Sequence, residues 1–445
     1  MLKDSCKKEQ ITLKVNKLVR GIGILGSFLI VLNGIVGAGI FALPSNILPL
    51  AGIWSPWILL AVVALIFTVI LTFAELSSYF EESGGPVLYA TKAFGPLTGF
   101  TTGWIYYLSR ATGFAGNSYV LSIYIGSIWP YVNTDTGHTL LVIAVTTILI
   151  LVNMLGVKNS VRILILFSFL KVIPLLLMIM LGLQYVSPDI LFPQSMPTID
   201  DFGGAVLILL YAFVGFETAL ITAGETTEPA KTIPKALIFT LIATGILFFL
   251  IMLIYVSIFP ESSNDAPTLV GVGQVIAGPI GAVAIAFAAI FSIGGNISCT
   301  MFASPRLTYG MAEQNLLPRW FCQLNEKYSS PTNSILFFGV LCIFLSLTGS
   351  FILLAVSTSL TRLISYIVSI LALPIIKKQA DEKTIKKSFK IKGGSIIPTI
   401  SLILCVWAAS NSPAESWYLV IGLLMVGLIL YTLERKFLND RTKAK

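Results

Sequence analysis

About a dozen long apolar runs, each closed by a short polar break, constrain this chain more than any other feature of its sequence. Roughly 20 apolar residues make the length of helix that crosses a hydrocarbon layer about 30 Å thick, at about 1.5 Å per residue. We place such runs near 20–50, 56–80, 97–128, 139–156, 161–186, 202–225, 234–259, 279–311, 332–349, 351–376, 396–411 and 416–435. They are continuous rather than alternating, so they suit helices, which satisfy their own backbone polar groups, and not the strands of a barrel. The expected fold class is an all-α integral membrane protein with about 12 transmembrane helices. Composition agrees: 56% of residues are hydrophobic, 11% are charged and the mean hydropathy is +0.89, which leaves little chain for a soluble domain.

Lys and Arg fall on alternate breaks. One side collects the N-terminal tail, Lys92, Lys158, Arg162, Lys231 and Lys235, Arg319 and Lys327, the cluster from Lys377 to Lys392, and the tail from Arg435 to Lys445. The breaks on the other side (129–138, 187–201, 260–278, 350 and 412–415) carry neither residue. The positive-inside rule then puts both termini in the cytoplasm and requires an even number of spans. Residues 1–19 are expected to be a cytoplasmic tail rather than a signal peptide, 20–435 the membrane domain, and 436–445 a second cytoplasmic tail. The net charge of +8 is accounted for by this topology and by lipid headgroups, without a nucleic-acid partner. The absence of a glycosylation sequon from the outer breaks fits a bacterial inner membrane.

The five cysteines are scattered and His138 is the one histidine, so neither a metal centre nor a cofactor is expected. A membrane-embedded enzyme would need paired carboxylates or a nucleophile with its base at mid-depth, and the spans offer no such pair. A channel would show a repeated filter or a ring of charges, and none is visible.

The rules for lipid are broken in two places. In the first span, Asn33-Gly34-Ile35-Val36-Gly37-Ala38-Gly39 runs on to Pro44, and in the sixth, Tyr211-Ala212-Phe213-Val214-Gly215-Phe216-Glu217-Thr218. Clustered glycine and a following proline unwind a helix at low cost. An unwound helix offers N–H groups to a carboxylate at the start of its second half and carbonyls to an ammonium at the end of its first. A packing face of small residues, or a simple kink, would use the same glycines. Two candidate breaks five spans apart are what a pair of inverted five-helix repeats would place together, about 20–186 and 202–376, with two extra helices over 396–435.

Four ionisable residues sit within spans: Arg110, Lys171, Glu217 and Arg362. Each would cost at least a few kcal/mol facing lipid, roughly 2.5–3.5 at the bilayer centre on insertion scales, so each is expected to face protein or a water-filled cavity. Glu217, directly after the sixth-span break, is the first choice for a gating or proton-responsive group. Lys171 suits an ammonium bridging helix ends in place of a bound cation. Arg110 is a fixed charge, a candidate partner for Glu217 or for an anionic group of the substrate.

At these positions the chain resembles the amino acid/polyamine/organocation superfamily. Gly34-Ile35-Val36-Gly37-Ala38-Gly39-Ile40-Phe41-Ala42-Leu43-Pro44 is similar to the family's G-x-x-G-x-G-I-F-x-x-P. The loop Glu82 to Ala90 is similar to its P-x-x-G-G-x-Y-x-Y, without the leading proline. Phe213-Val214-Gly215-Phe216-Glu217 with Glu228-Pro229 and Ile233-Pro234 resembles G-F-E with E-x-x-N-P-x-x-x-I-P. Arg306, Met311-Ala312 and Leu317-Pro318 resemble R-x-x-x-x-M-A-x-x-G-x-L-P.

The resemblance implies a LeuT-like 5+5 inverted repeat with broken helices 1 and 6 plus two extra helices, working by alternating access. It implies that amides at Gly37, Ala38 and Gly39 hold an α-carboxylate. Carbonyls at Ile35, Tyr211 and Val214, in the stretch that includes Ala212 and Phe213, would receive the α-amino group, and Asn296 would lie in the side-chain pocket. Glu217 resembles a gating acid, and Lys171 the lysine that replaces sodium in sodium-independent relatives. Tyr211 and Asn296 stand where arginine exchangers have aromatic cage residues, so the expected substrate is a neutral or polar amino acid. Symport with protons, exchange, and transport of a polyamine or other organic amine stay open, as does the oligomeric state.

Overall fold

Every regular element among the described residues is helical, apart from one isolated bridge between Ile22 and Thr226. The computed structural model describes residues 22–443 except 81, 83, 156–159, 192–197, 222, 261–266, 326–327, 329, 383–384, 386–387 and 392. The first tail of the sequence reading (1–19) lies outside them, and of the second, 436–443 continue the last helix.

The first apolar run forms two helices, α1 (Ile24–Ile35) and α2 (Gly39–Ala51), separated by Val36–Ala38. There follow α3 (Ser55–Ser77), α4 (Gly85–Phe94), α5 (Pro96–Gly126), α6 (Asp135–Met154) and α7 (Ser160–Gly182). The sixth run is also broken, into α8 (Ile199–Leu210), a 3₁₀ turn over Tyr211–Phe213, an irregular stretch 214–217, and the one-turn α9 (Thr218–Ile221). The chain continues through α10 (Pro229–Ile258), α11 (Leu269–Glu313), α12 (Thr332–Thr348), α13 (Phe351–Gln379), α14 (Ile396–Ser410) and α15 (Ala414–Lys443).

Among the described residues, six helical stretches are long and apolar enough to cross a membrane, and five shorter apolar helices accompany them. The chain is a multi-pass membrane protein in its surface as well. Met180, Ile280, Val340 and Ile403 stand largely exposed, where a protein folded against water would not gather so many large apolar side chains. α5 is the exception. It is rich in Thr, Ser, Gly and Tyr, and most of it is buried between α11, α12 and α13. Enclosed by protein, it does not need a lipid-facing surface.

Three differences from the sequence reading have physical causes. Gly85–Phe94, read as loop, is helical, because positive φ at Gly84 and Gly85 turns the chain and Pro86 then starts a helix at low cost. Leu269–Gly278, also read as loop, belongs to α11, which bends at Ala277 and Gly278 before Pro279. His138 lies in the first turn of α6, with Nδ1 2.7 Å from Ser122 Oγ, rather than in a loop.

The packing brings the two broken runs together. α1 lies against α9 and α2 against α8, so that each run's first half meets the other's second half. α3 packs along α10, and α14 covers α3 and α13. In the Lys377–Lys392 cluster, Lys377 Nζ lies 2.8 Å from Glu75 Oε1, while the amides of Ile391 and Phe389 donate to Glu75 Oε2 (3.4 Å) and Ser78 Oγ (3.0 Å).

Candidate functional site

The two breaks touch backbone to backbone. A Cβ on Gly34 would stand 2.5 Å from the carbonyl oxygen of Gly215, and one on Gly215 would stand 2.3 Å from that of Gly34. Gly215 also has φ +123°, which a side chain would strain. Further along, a Cβ on Gly39 would meet Ala212 Cα at 2.8 Å. These glycines are therefore needed for a close crossing, which a lone kink would not require.

A cavity of about 820 Å³ lies at the crossing. Its wall includes Ile35, Gly37, Ala38, Gly39, Tyr211, Val214 and Asn296. Two expected residues are not on it. Ala212 is spent on the contact with Gly39, and the ring of Phe213 packs on Phe248 with centroids 5.5 Å apart. The donors also shift by one residue. Gly37 N–H already donates to Ile35 C=O (2.9 Å), and the amides without a partner among the described residues are those of Ala38, Gly39 and Ile40, at the start of α2. Tyr211 C=O accepts from Val214 N–H at 3.4 Å. Carbonyls at Ile35 and Tyr211 each keep a second lone pair for an ammonium.

Three side chains and a backbone carbonyl, from four elements, tie the wall together. Tyr211 Oη donates to Asn117 Oδ1 (2.6 Å), Asn117 Nδ2 donates to Asn296 Oδ1 (2.8 Å), and Asn296 Nδ2 reaches Gly34 C=O at 3.5 Å. Asn117, on α5, escaped the sequence reading. A neutral amide inside a span rich in Ser, Thr and Gly is less conspicuous than a charge, although it too is buried.

Lys171 is buried, and its Nζ donates to Val36 C=O at 2.7 Å, at the end of α1. Ser292 Oγ from α11 reaches the same carbonyl (3.2 Å) and that of Gly37 (3.4 Å). The ammonium thus sits where carbonyls of an unwound segment and a hydroxyl of a neighbouring helix converge, an arrangement suited to a cation.

Glu217 is fully buried and accepts from Gly215 N–H at 3.0 Å and from the hydroxyl of Tyr366. Its counter-ion is Arg362, Nη1 to Oε1 3.3 Å, and not Arg110 as one reading of the sequence had it. The reason is register: α13 brings Arg362 and Tyr366, one turn apart, to the same carboxylate, whereas Arg110 on α5 faces the cavity. Arg110, Lys171 and Arg362 all line the cavity and Glu217 is buried, so each of the four faces protein or the cavity.

The cavity runs to an end walled by Ile22 and Glu225, whose backbones pair (Ile22 N–H to Glu225 C=O, 3.0 Å). On the other side a smaller cavity of about 230 Å³ is lined by Phe41, Tyr119, Tyr124 and Phe351. Aromatic rings stand between the two: Tyr211 meets Phe351 edge-on (5.8 Å) and Phe351 stacks on Tyr119 (6.5 Å). Tyr124 Oη donates to Phe41 C=O (2.8 Å) beside them.

Residues 22–438 match the family described as amino acid permease. The branched-chain amino acid permease of Bacillus subtilis is 25% identical, covering 96% of this chain and 94% of its own length. A serine/threonine exchanger of Bacillus subtilis is 25% identical over 87% of this chain and 90% of its own. A cadaverine/lysine antiporter of Escherichia coli is 25% identical over 67% and 71%.

Proposed function

The chain belongs to the amino acid permease family, a family of transporters and not of enzymes, and from that premise we propose that it moves amino acids across the membrane by alternating access. The single observation that carries this reading is the crossing of the two broken helices at Gly34 and Gly215 beside a cavity with unpartnered amides at Ala38 and Gly39. A zwitterion fits such a place: its carboxylate on the amides that begin α2, its ammonium on carbonyls at Ile35, Tyr211 and Val214, its side chain toward Asn296 and Asn117.

The antiparallel meeting of α1 with α9 and of α2 with α8 supports a LeuT-like 5+5 inverted repeat of 12 spans, with α14 and α15 as the two extra helices. The basic breaks support cytoplasmic termini in a bacterial inner membrane. With a cavity at one end and stacked rings at the other, the arrangement corresponds to the half-cycle in which substrate exchanges with the basic side. Glu217 gates through its pair with Arg362, which fixes the irregular stretch 214–217 to α13.

Transport is sodium-independent in this reading, because Lys171 fills the place a cation would take. It proceeds as proton-linked symport or as exchange. The similarity to both permeases and antiporters of amino acids and diamines supports an amino acid or amine substrate. Uptake of labelled amino acids into proteoliposomes tests the reading: saturable uptake that responds to a proton gradient or to internal substrate supports it, and conductance without saturation or counter-transport would indicate a channel.

A further inference from the structure

The cavity contains more positive charge than its own carboxylates neutralise. Arg362 has Glu217, and Lys171 is occupied by Val36 C=O. Arg110 has no carboxylate within ion-pair distance among the described residues, and its buried Nε has no hydrogen-bond partner. The Nε of Arg362, a residue almost wholly buried, also lacks an acceptor. The two guanidinium groups flank one ring, their central carbons 5.7 Å (Arg110) and 4.1 Å (Arg362) from the centre of Tyr106. Among the described residues the one carboxylate on the wall is Glu225, which is exposed at the mouth.

We propose that Arg110, beside the paired Arg362, is a subsite for a second anionic group, so that the transported amino acid is one with a side-chain carboxylate. The inference rests on the proposed amino acid transport and names its substrate class. Arg110 lies on the same face of α5 as Asn117, two helical turns away, or about 10 Å along the axis at about 1.5 Å per residue. An extended arginine spans much of that distance and a four- or five-carbon dicarboxylate the rest. A guanidinium binds a carboxylate through two parallel N–H donors, and between the low-dielectric walls of a membrane protein that pairing is worth more than at an exposed surface. The same excess charge repels diamines and the side chains of lysine and arginine.

Competition by unlabelled L-glutamate, L-aspartate, L-glutamine, L-leucine and L-lysine, against whichever labelled amino acid the wild-type protein takes up in proteoliposomes, tests this. Glutamate or aspartate is expected to compete at least tenfold better than glutamine, and lysine worst. In Arg110→Gln the preference for glutamate over glutamine should shrink by tenfold or more. If glutamine or leucine competes as well as glutamate in the wild-type protein, the inference is overturned while amino acid transport stands. If no amino acid is taken up by verified folded protein, the underlying reading of function has failed, and the inference with it. The wild-type comparison decides even if Arg110→Gln does not fold.

Discussion

Taking the charge from Glu217 leaves Arg362 buried without a carboxylate. Breaking such a pair costs about 3–5 kcal/mol, whereas replacing both partners by apolar side chains is often neutral. Glu217→Gln is therefore expected to lower thermal stability in detergent and uptake at least tenfold, and adding Arg362→Met to recover stability without recovering transport. Equal stability of Glu217→Gln and wild type would remove the structural importance given to the pair. Lys171→Met removes a charge-assisted bond to Val36 C=O, worth about 1.5–3 kcal/mol, and is expected to cut uptake by a similar factor while wild-type uptake ignores sodium. Strict dependence on sodium would contradict the role given to the ammonium. Lys171 and Glu217 were legible as candidates because a charge inside an apolar run is conspicuous. Their partners were not, since a single sequence says which face a residue occupies but not which helix lies opposite: Arg110 was the candidate for Glu217, and α13 brings Arg362 there instead.

For the elements, the decisive feature is how closely the broken helices approach. Gly34→Val puts atoms where the carbonyl of Gly215 already stands, and Gly39→Val puts them against Ala212. Both are expected to abolish uptake or prevent folding, as measured by monodispersity in detergent and by transport. Gly422→Ala, where an added Cβ meets nothing within 4 Å, is expected to be tolerated and even to gain up to about 1 kcal/mol from helix propensity. Tolerance of Gly34→Val would show that the crossing is looser than described. The breaks were readable from the spacing of Gly34, Gly37 and Gly39, but Pro44, counted with the first break, lies inside α2. The helix Gly85–Phe94 and the first turns of α11 were missed because glycine and proline at their starts read as loop, and because each is too short to show an apolar run.

At the scale of the whole molecule, the proposed half-cycle, with a cavity reaching one end and rings across the other, makes accessibility one-sided. Cys299 is exposed and lines the cavity, whereas Cys342 and Cys405 are buried. With Cys6 and Cys322 replaced by serine, a membrane-impermeant maleimide is expected to label Cys299 from the side of the basic loops and more slowly when substrate is present. Labelling from the opposite side alone would reverse the orientation. The number of apolar runs and the alternation of Lys and Arg made the membrane class and the proposed topology legible, while the cavity depends on packing between distant runs and was not. The central claim, that the crossing of the two broken runs carries an amino acid, is tested most directly by uptake of a panel of labelled amino acids into proteoliposomes. Wild type would be measured with and without sodium, an inward proton gradient and internal unlabelled substrate, and Gly39→Val alongside it. The account predicts saturable, sodium-independent uptake that the gradient or the internal substrate drives and that Gly39→Val loses; uptake of no amino acid by folded protein, or uptake undiminished in folded Gly39→Val, would contradict it.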